Sequence, residues 1–351
     1  MKAIGVDRQE GAAISPLVTL DLPTDLPQPG EVRIRVAAAG VNRADVMQRE
    51  GRYPPPPGAS PALGLELSGV VDAVGEGVDP SWVGQRVCAL VPGGGYAEYA
   101  CVPEGVLIAV PDGMSLEEAA GLPEVFLTAF SAVFDEGNLK AGERILIHAG
   151  ASGVGTAAIQ LAVAAGAEVF TTVGGPKKVE ACQALGASLA MDRHTEDFET
   201  SIQAYLGDRV PKAHVGPGAI SGPGGIDVII DMVGKDYLER NLRLLNILGR
   251  LVIVSVLSGN RVDLDLLSLT SKRLSLIGMT LRARTWAEKA DLTRRFVERF
   301  GPALQAGTIR PVIDRVLPWE QADDAHQQLL ANANVGKVIL RVADLANLEL
   351  A

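Results

Sequence analysis

The stretch Arg144-Ile145-Leu146-Ile147-His148-Ala149-Gly150-Ala151-Ser152-Gly153-Val154-Gly155 decides the fold. Its apolar run, bounded by the Ala141-Gly142 turn, reads as a buried strand of a parallel sheet. Three glycines within six positions follow, and then Thr156 to Ala162, a run of good helix formers. Strand, glycine turn and helix in that order aim backbone N–H groups and a helix N-terminus at a pyrophosphate. The turn fits G-x-G-x-x-G with Ser152 at the second glycine, and serine is the smallest substitute that also offers a hydroxyl to a phosphate oxygen. Gly150, Ser152, Gly153, Val154 and Gly155 are therefore expected to hold a dinucleotide; the alternative is a purely structural glycine turn.

Downstream, strands and helices alternate. Glu168–Val173 is a second strand, Lys177–Leu185 a helix ended by Gly186, and Leu189–Met191 a third strand. Ile226–Asp231, Arg250–Ser255 and Leu274–Met279 are further strands, with a helix over Lys235–Leu245. This alternation predicts a doubly wound parallel sheet. The end of the second strand bears on the cofactor. A site for NAD places Asp or Glu there, to bind the ribose 2′-hydroxyl. Here the chain reads Val173-Gly174-Gly175-Pro176-Lys177-Lys178, without a carboxylate to repel a 2′-phosphate. Gly174 leaves room, Lys178 supplies a point charge, and Arg193, just past the third strand, is a further candidate. NADPH is the expected cofactor, although Lys177 and Lys178 also suit a plain solvated helix start.

Upstream, residues 1–125 alternate polar and apolar positions, as in Glu31-Val32-Arg33-Ile34-Arg35-Val36, with glycine punctuation, and predict a mostly-β, barrel-like domain. Tyr53-Pro54-Pro55-Pro56-Pro57-Gly58 is too proline-rich for a helix or a central strand and reads as a stiff surface loop. Ser115 followed three residues later by Glu118 resembles a capping box, Pro123 interrupts the helical pattern, and a helix over Phe126–Phe134 is expected to lead into residues 126–280. The remainder, 281–351, reads as a long helix (Trp286–Leu304), a strand (Ile309–Val312), a helix (Glu320–Leu330) and a last strand (Lys337–Val342). The stretch 207–225, with six glycines and three prolines, is expected to be an exposed loop.

Composition limits the function. The net charge of −10 offers no basic stripe for nucleic acid and disfavours anionic membrane surfaces. No apolar run approaches the roughly 20 residues that cross a bilayer, and the N-terminus reads as a strand rather than a signal peptide. Cys88, Cys101 and Cys182, odd in number and far apart, suit reduced thiols in the cytoplasm. A zinc site needs a cluster of Cys, His or carboxylate ligands. The four histidines (148, 194, 214 and 326) are scattered, with none in the β-rich residues 1–125, and no C-x-x-C occurs, so no metal is expected. His148, in the central strand, is expected to be a hydrogen-bonded core residue rather than a catalyst.

Further motifs carry a resemblance. Gly40-Val41-Asn42-Arg43-Ala44-Asp45-Val46-Met47-Gln48-Arg49, the Tyr53–Ser60 loop, Gly64-Leu65-Glu66-Leu67-Ser68-Gly69, Pro92 to Tyr99, Pro123 to Phe130, Ile147 to Leu161 and Asn334-Val335-Gly336-Lys337 together resemble the zinc-free quinone oxidoreductases of the medium-chain dehydrogenase/reductase superfamily, most closely the p53-inducible type. The resemblance implies a GroES-like catalytic domain made from both chain ends, with a Rossmann domain inserted, and a homodimer joined along the Rossmann sheet edge. In the zinc alcohol dehydrogenases of that superfamily a zinc-binding histidine precedes the glutamate matching Glu66; here Leu65 stands there.

Residue by residue, the resemblance puts Asn42 and Asp45 on the floor of the catalytic cleft and Tyr53 on its wall near the nicotinamide. Thr128 lies under the nicotinamide, Leu257 beside the cofactor, and Asn334 and Lys337 close the cofactor site. Plainer readings make Asn42 and Asp45 turn residues, Tyr53 a packed aromatic and Lys337 a strand-edge charge. The family usually has tyrosine where Arg193 stands. The implied activity is hydride delivery from NADPH to a quinone. The alternatives are an enone or enoyl-thioester reductase, or a low-turnover NADPH-binding redox sensor.

Overall fold

The computed structural model describes residues 1–8, 14–207 and 225–343. The glycine-rich stretch expected to be a loop lies, over 208–224, outside the described residues. The chain divides into two compact units, residues 1–127 with 281–351, and residues 128–280.

The first unit opens with β1 (Lys2–Val6), β2 (Leu17–Asp21) and β3 (Glu31–Val41), followed by α1 (Arg43–Arg49), β4 (Glu66–Val74), β5 (Arg86–Leu90), β6 (Tyr99–Pro103), β7 (Leu107–Ala109), α2 (Leu116–Ala119) and α3 (Pro123–Phe130), whose last turn belongs to the second unit. The second unit holds β8 (Arg144–His148), α4 (Gly153–Ala164), β9 (Glu168–Val173), α5 (Pro176–Ala184), β10 (Leu189–Asp192), α6 (Phe198–Leu206), β11 (Ile226–Asp231), α7 (Leu238–Leu244), β12 (Leu245–Ile253), α8 (Leu266–Lys272) and β13 (Ser275–Gly278). The return to the first unit is α9 (Trp286–Gln305), β14 (Ile313–Pro318), α10 (Ala322–Leu330) and β15 (Lys337–Arg341).

In the second unit the strands pair in parallel in the order β10-β9-β8-β11-β12-β13, the doubly wound arrangement that places a dinucleotide at the carboxyl ends of the central strands. Such strands, covered on both faces, need near-continuous apolar runs. Ile145, Leu146 and Ile147 of β8, and Ile229 and Ile230 of β11, have no exposed surface. In the first unit β14-β15-β3-β4-β5-β7 form a mostly antiparallel sheet, and β6 also pairs with β3. The alternation in β3 buries Val32, Ile34 and Val36 on one face against Val71, Val87 and Val102. Pairing of β15 with β3 stitches the C-terminal segment onto the N-terminal one. Among the described residues no helix is long and apolar enough to cross a membrane.

Some elements depart from the sequence reading. The strand expected over Ile309–Val312 lies instead at Ile313–Pro318, because Pro311 has no N–H to give a ladder and pairing starts beyond it. Pro123 does not merely interrupt a helix; it opens α3, where its fixed φ is pre-organised and its missing N–H costs nothing. β12 begins directly after α7, at Leu245 rather than Arg250.

Candidate active site

At the end of β8 the chain turns through Ala149, a non-glycine residue at φ 54°, and enters α4. The N–H of Gly150 donates to Thr172 O at 3.1 Å, which holds the turn on β9. A Cβ at Gly150 would overlap Thr171 Oγ1, and one at Gly155 would stand 2.6 Å from Gly150 Cα. Both glycines are therefore needed to bring helix and strand together. Ser152 caps α4: its Oγ accepts from Gly155 N–H at 3.0 Å. The cap oxygen is thus engaged within the turn, and Gly153 and Val154, half-buried in the first helical turn, are left with N–H groups that have no acceptor inside the helix. That is the cradle a pyrophosphate needs.

His148 is fully buried, with Nδ1 2.9 Å from Thr172 Oγ1 and Nε2 2.8 Å from Asn241 Oδ1. Asn241 Nδ2 donates to Asp231 Oδ2 at 3.1 Å. Burial, foremost, lowers the imidazole pKa. This chain of bonds locks the carboxyl ends of β8, β9 and β11 together; His148 is a core residue, as its place in the strand suggested.

The next corner is formed by the ends of β9 and β10. Gly175, at φ 97°, opens α5 and donates its N–H to Asp192 Oδ1 at 2.9 Å. The same oxygen accepts from His194 N–H at 3.1 Å, and these backbone donors hold the Asp192 carboxyl below the usual range. Over Gly174, the position of an added Cβ is 3.1 Å from His194 Nε2 and 3.2 Å from Arg193 Nε. Two basic side chains therefore converge on a glycine at the end of the second strand, with Lys178 half-buried on the adjoining helical turn. His194 was not legible as part of this corner, because nothing in its spacing says which way the turn after β10 folds back. Leu257, after β12, is 57% exposed, and Thr128, on α3, is buried.

In the first unit Asn42 caps α1, and Asp45 at the third helical position accepts from Asn42 N–H at 2.8 Å. The turn-residue reading is thus correct as far as it goes, but both side chains also enter a buried polar cluster. Asn42 Nδ2 donates to Glu66 Oε1 at 2.9 Å. Lys337 Nζ lies 2.6 Å from Glu66 Oε1 and donates to Val41 O and Asn42 Oδ1, each at 2.7 Å. Glu66 has no exposed surface and Lys337 is 3% exposed. Gly40 makes room for this pair, since a Cβ there would meet the Glu66 carboxyl and stand 2.6 Å from Ala120 O.

The cluster continues through Tyr96, whose hydroxyl donates to Asp45 Oδ2 at 3.1 Å and lies 3.4 Å from His326 Nε2. Burial pushes Asp45 up to about 6, against the Asn42 N–H and the Lys337 charge. Glu124, whose N–H donates to Glu66 Oε2 at 2.9 Å, is pushed up to about 8 by burial and then by the Glu66 charge. Its Oε2 is shut off from solvent with no hydrogen-bond partner. His326 is lowered to about 4, first by burial and then by Arg49.

Asn42, Asp45 and Lys337 are thus brought together. Asn334 stands apart: its Nδ2 braces the local turn through Gly336 O at 2.6 Å. Tyr53, on the proline loop, is half-buried and lies against Arg282 rather than joining the cluster. Glu66, Tyr96, Glu124, Arg282 and His326 were missed. Glu66 alone gave a signal, as a carboxylate inside the apolar run Leu65-Glu66-Leu67, which demands a buried partner. Leu65, where a zinc enzyme has histidine, is 1% exposed and packed in the core.

Known proteins are similar to this chain in sequence and fold. Residues 153–295 match the zinc-binding dehydrogenase family and residues 28–112 the alcohol dehydrogenase GroES-like domain. The chain is 32% identical over 329 residues to the human synaptic vesicle membrane protein VAT-1 homolog, covering 90% of this chain and 79% of that protein. It is 33% identical to the quinone oxidoreductase of Thermus thermophilus, solved also as a complex with NADPH, with a TM-score of 0.78 over 97% of this chain and 100% of that one. The CurK enoyl reductase shares 28% identity and a TM-score of 0.79 over 97% of this chain and 98% of that one. With its strand order, glycine turn and β-rich unit built from both chain ends, this chain belongs to the medium-chain dehydrogenase/reductase superfamily, with quinone oxidoreductases among its relatives.

Proposed function

We propose that the protein is a zinc-independent NADPH:quinone oxidoreductase. The observation that carries the cofactor assignment is the Gly174 corner, where Arg193 and His194 converge on a position that in an NAD site holds a carboxylate. The pyrophosphate rests on the N–H groups of Gly153 and Val154, with Ser152 fixing the helix start and Gly150 and Gly155 keeping the approach open. The 2′-phosphate is taken by Arg193, His194 and Lys178. Thr128 and Leu257 border the nicotinamide, and Asn334 closes the cofactor site from the C-terminal segment. Lys337 belongs to that side through Asn42, whose amide it fixes.

When bound, the dihydronicotinamide supplies a hydride. The chain's own residues orient the acceptor and exclude water, and most of the acceleration comes from that proximity. Asn42 and Asp45 form the floor on the acceptor side and Tyr53 its wall, the phenol orienting the acceptor or donating a proton. A quinone needs no strong acid, because its reduced oxygens take protons from water. This matches the site, where a metal-binding histidine is replaced by Leu65 and the Glu66 carboxylate is paired with Lys337. The quinone assignment draws on the relatives.

The enoyl reductase among the structural neighbours favours a second reading, reduction of an enone or enoyl thioester, which needs a proton donor at the α carbon. NADPH consumption with 1,2- and 1,4-quinones, measured against α,β-unsaturated ketones, separates the two. Faster turnover of quinones is expected; turnover of the ketones alone would replace the proposal with the second reading. Tight NADPH binding with consumption by neither would point to a redox sensor.

The protein acts as a cytoplasmic homodimer in this reading. Ile247, Leu248, Leu266 and Leu267 are each 47% exposed or more, and they fall on β12 and α8, next to the end strand β13. Such a run of apolar surface suits an interface.

A further inference from the structure

Arg282, at the start of the return segment, is 6% exposed, yet its hydrogen bonds go to neutral oxygens. Nε and Nη2 both reach Pro92 O, at 3.0 and 2.8 Å. Nη2 also bonds Gln48 Oε1, on α1, and Nη1 reaches Tyr53 O at 3.3 Å. The guanidinium carbon lies 5.1 Å from the centre of the Tyr53 ring. Burying a cation without an ion pair is costly, and an anchor for the return segment does not need one. What this cation does is join α1, the Pro92 turn and the Tyr53 loop at a single planar fork. It also covers one face of the only aromatic ring in that loop. A five-donor fork does this and an ammonium does not, because only the fork addresses several acceptors in fixed directions while stacking on a ring.

We infer that Arg282 is the positioning residue for Tyr53: it fixes the backbone and the ring of the proline loop so that the phenol is held toward the acceptor. Prolines 54–57 stiffen the loop beyond Tyr53. The Arg52 and Tyr53 N–H groups, which donate to Met47 O at 2.9 and 3.2 Å, are further ties there. Burial, foremost, lowers the pKa of Arg282, the Asp45 carboxylate on α1 opposes that, and the Tyr53 ring covers one face of the guanidinium. This inference rests on the reading of Tyr53 as an acceptor-side residue.

The test labels the five tyrosines (53, 96, 99, 205 and 237) with 3-fluorotyrosine and follows them by fluorine NMR, with Tyr53→Phe identifying the resonance of Tyr53. In Arg282→Lys the Tyr53 line is expected to shift and broaden while the other four stay in place, and the KM for the quinone to rise about ten-fold with the Kd for NADPH unchanged. Combining Arg282→Lys with Tyr53→Ala is then expected to cost no more than Tyr53→Ala alone. An unmoved Tyr53 line in a folded Arg282→Lys protein, or multiplying effects in the double variant, overturns the inference. If all five lines move, Gln48→Leu, which removes one tie of the fork, is read in the same way. If Tyr53→Ala itself leaves turnover unchanged, the acceptor-side reading of Tyr53 falls instead, and the line shift still reports whether Arg282 holds the ring.

Discussion

At Lys337 the ammonium and the Glu66 carboxylate sit 2.6 Å apart, with both side chains cut off from water. Such a pair is poor evidence of net stability, because desolvating two charges offsets most of their attraction, but breaking it from one side leaves a buried charge alone. Lys337→Met is therefore expected to destabilise the protein by about 3 kcal/mol or more, and Lys337→Met with Glu66→Gln to recover a large part of that. Urea unfolding of the two variants checks this; equal losses would mean that Glu66 finds another partner. Gly150 is constrained by space rather than charge. A methyl group there would overlap the Thr171 hydroxyl, which donates to Ile147 O at 2.7 Å in the centre of the sheet. Gly150→Ala is expected to cost about 1–3 kcal/mol of stability, measured by the same unfolding, and to weaken dinucleotide binding. Wild-type binding by this variant would separate the turn from the cofactor.

Among the elements, α4 shows how function and capping share one residue. The sequence invites a reading of Ser152 as a phosphate ligand, whereas its oxygen is the N-cap of the helix. Ser152→Ala is expected to lose about 1 kcal/mol of stability, and Ser152→Gly only a few tenths. If cofactor affinity falls far more than stability in both, the hydroxyl also reaches the phosphate. The strands of the dinucleotide sheet were legible because parallel strands covered on both faces must be apolar throughout, as in β8 and β11. β12 was placed late because its start, Leu245-Asn246-Ile247-Leu248, continues the apolar pattern of α7 with no break residue between them. α1 was hidden because a seven-residue helix shows too little periodicity. The polar cluster was only half legible: Asn42 and Asp45 stand three apart, but their partners at 66, 96 and 337 come from other strands and turns. No local pattern reveals such a meeting.

For the whole molecule, the buried acids give an unusual dependence on pH. The Glu124 carboxyl, at about 8 in the folded state, lies above its ordinary value of about 4.3, so the folded form holds a proton that the unfolded chain has released. Its stabilising effect is complete below about pH 4.3 and is lost as pH rises through 8. Asp45, at about 6, loses its share earlier. His326, lowered to about 4 and buried neutral, acts oppositely and only below the ordinary imidazole range. From about pH 6.5 to 8, Glu124 is left to set the slope, and stability is expected to fall with rising pH. Thermal unfolding across that range should lose the slope in Glu124→Gln; an unchanged slope would assign it to another group. At the same scale, Leu266→Glu with Leu267→Glu should convert a dimer to monomers by light scattering, with NADPH binding retained. An unaltered mass would move the interface elsewhere.

The proposed function rests on direct hydride transfer from NADPH to a quinone. Its most direct test is a single turnover, without oxygen, of enzyme-bound NADPH deuterated at C4, mixed with a 1,4-quinone. Deuterium is expected to slow NADPH oxidation, with one hydroquinone appearing for each NADPH consumed. Oxidation at the same rate for both isotopes, or none with quinones while an enone is reduced, would contradict it.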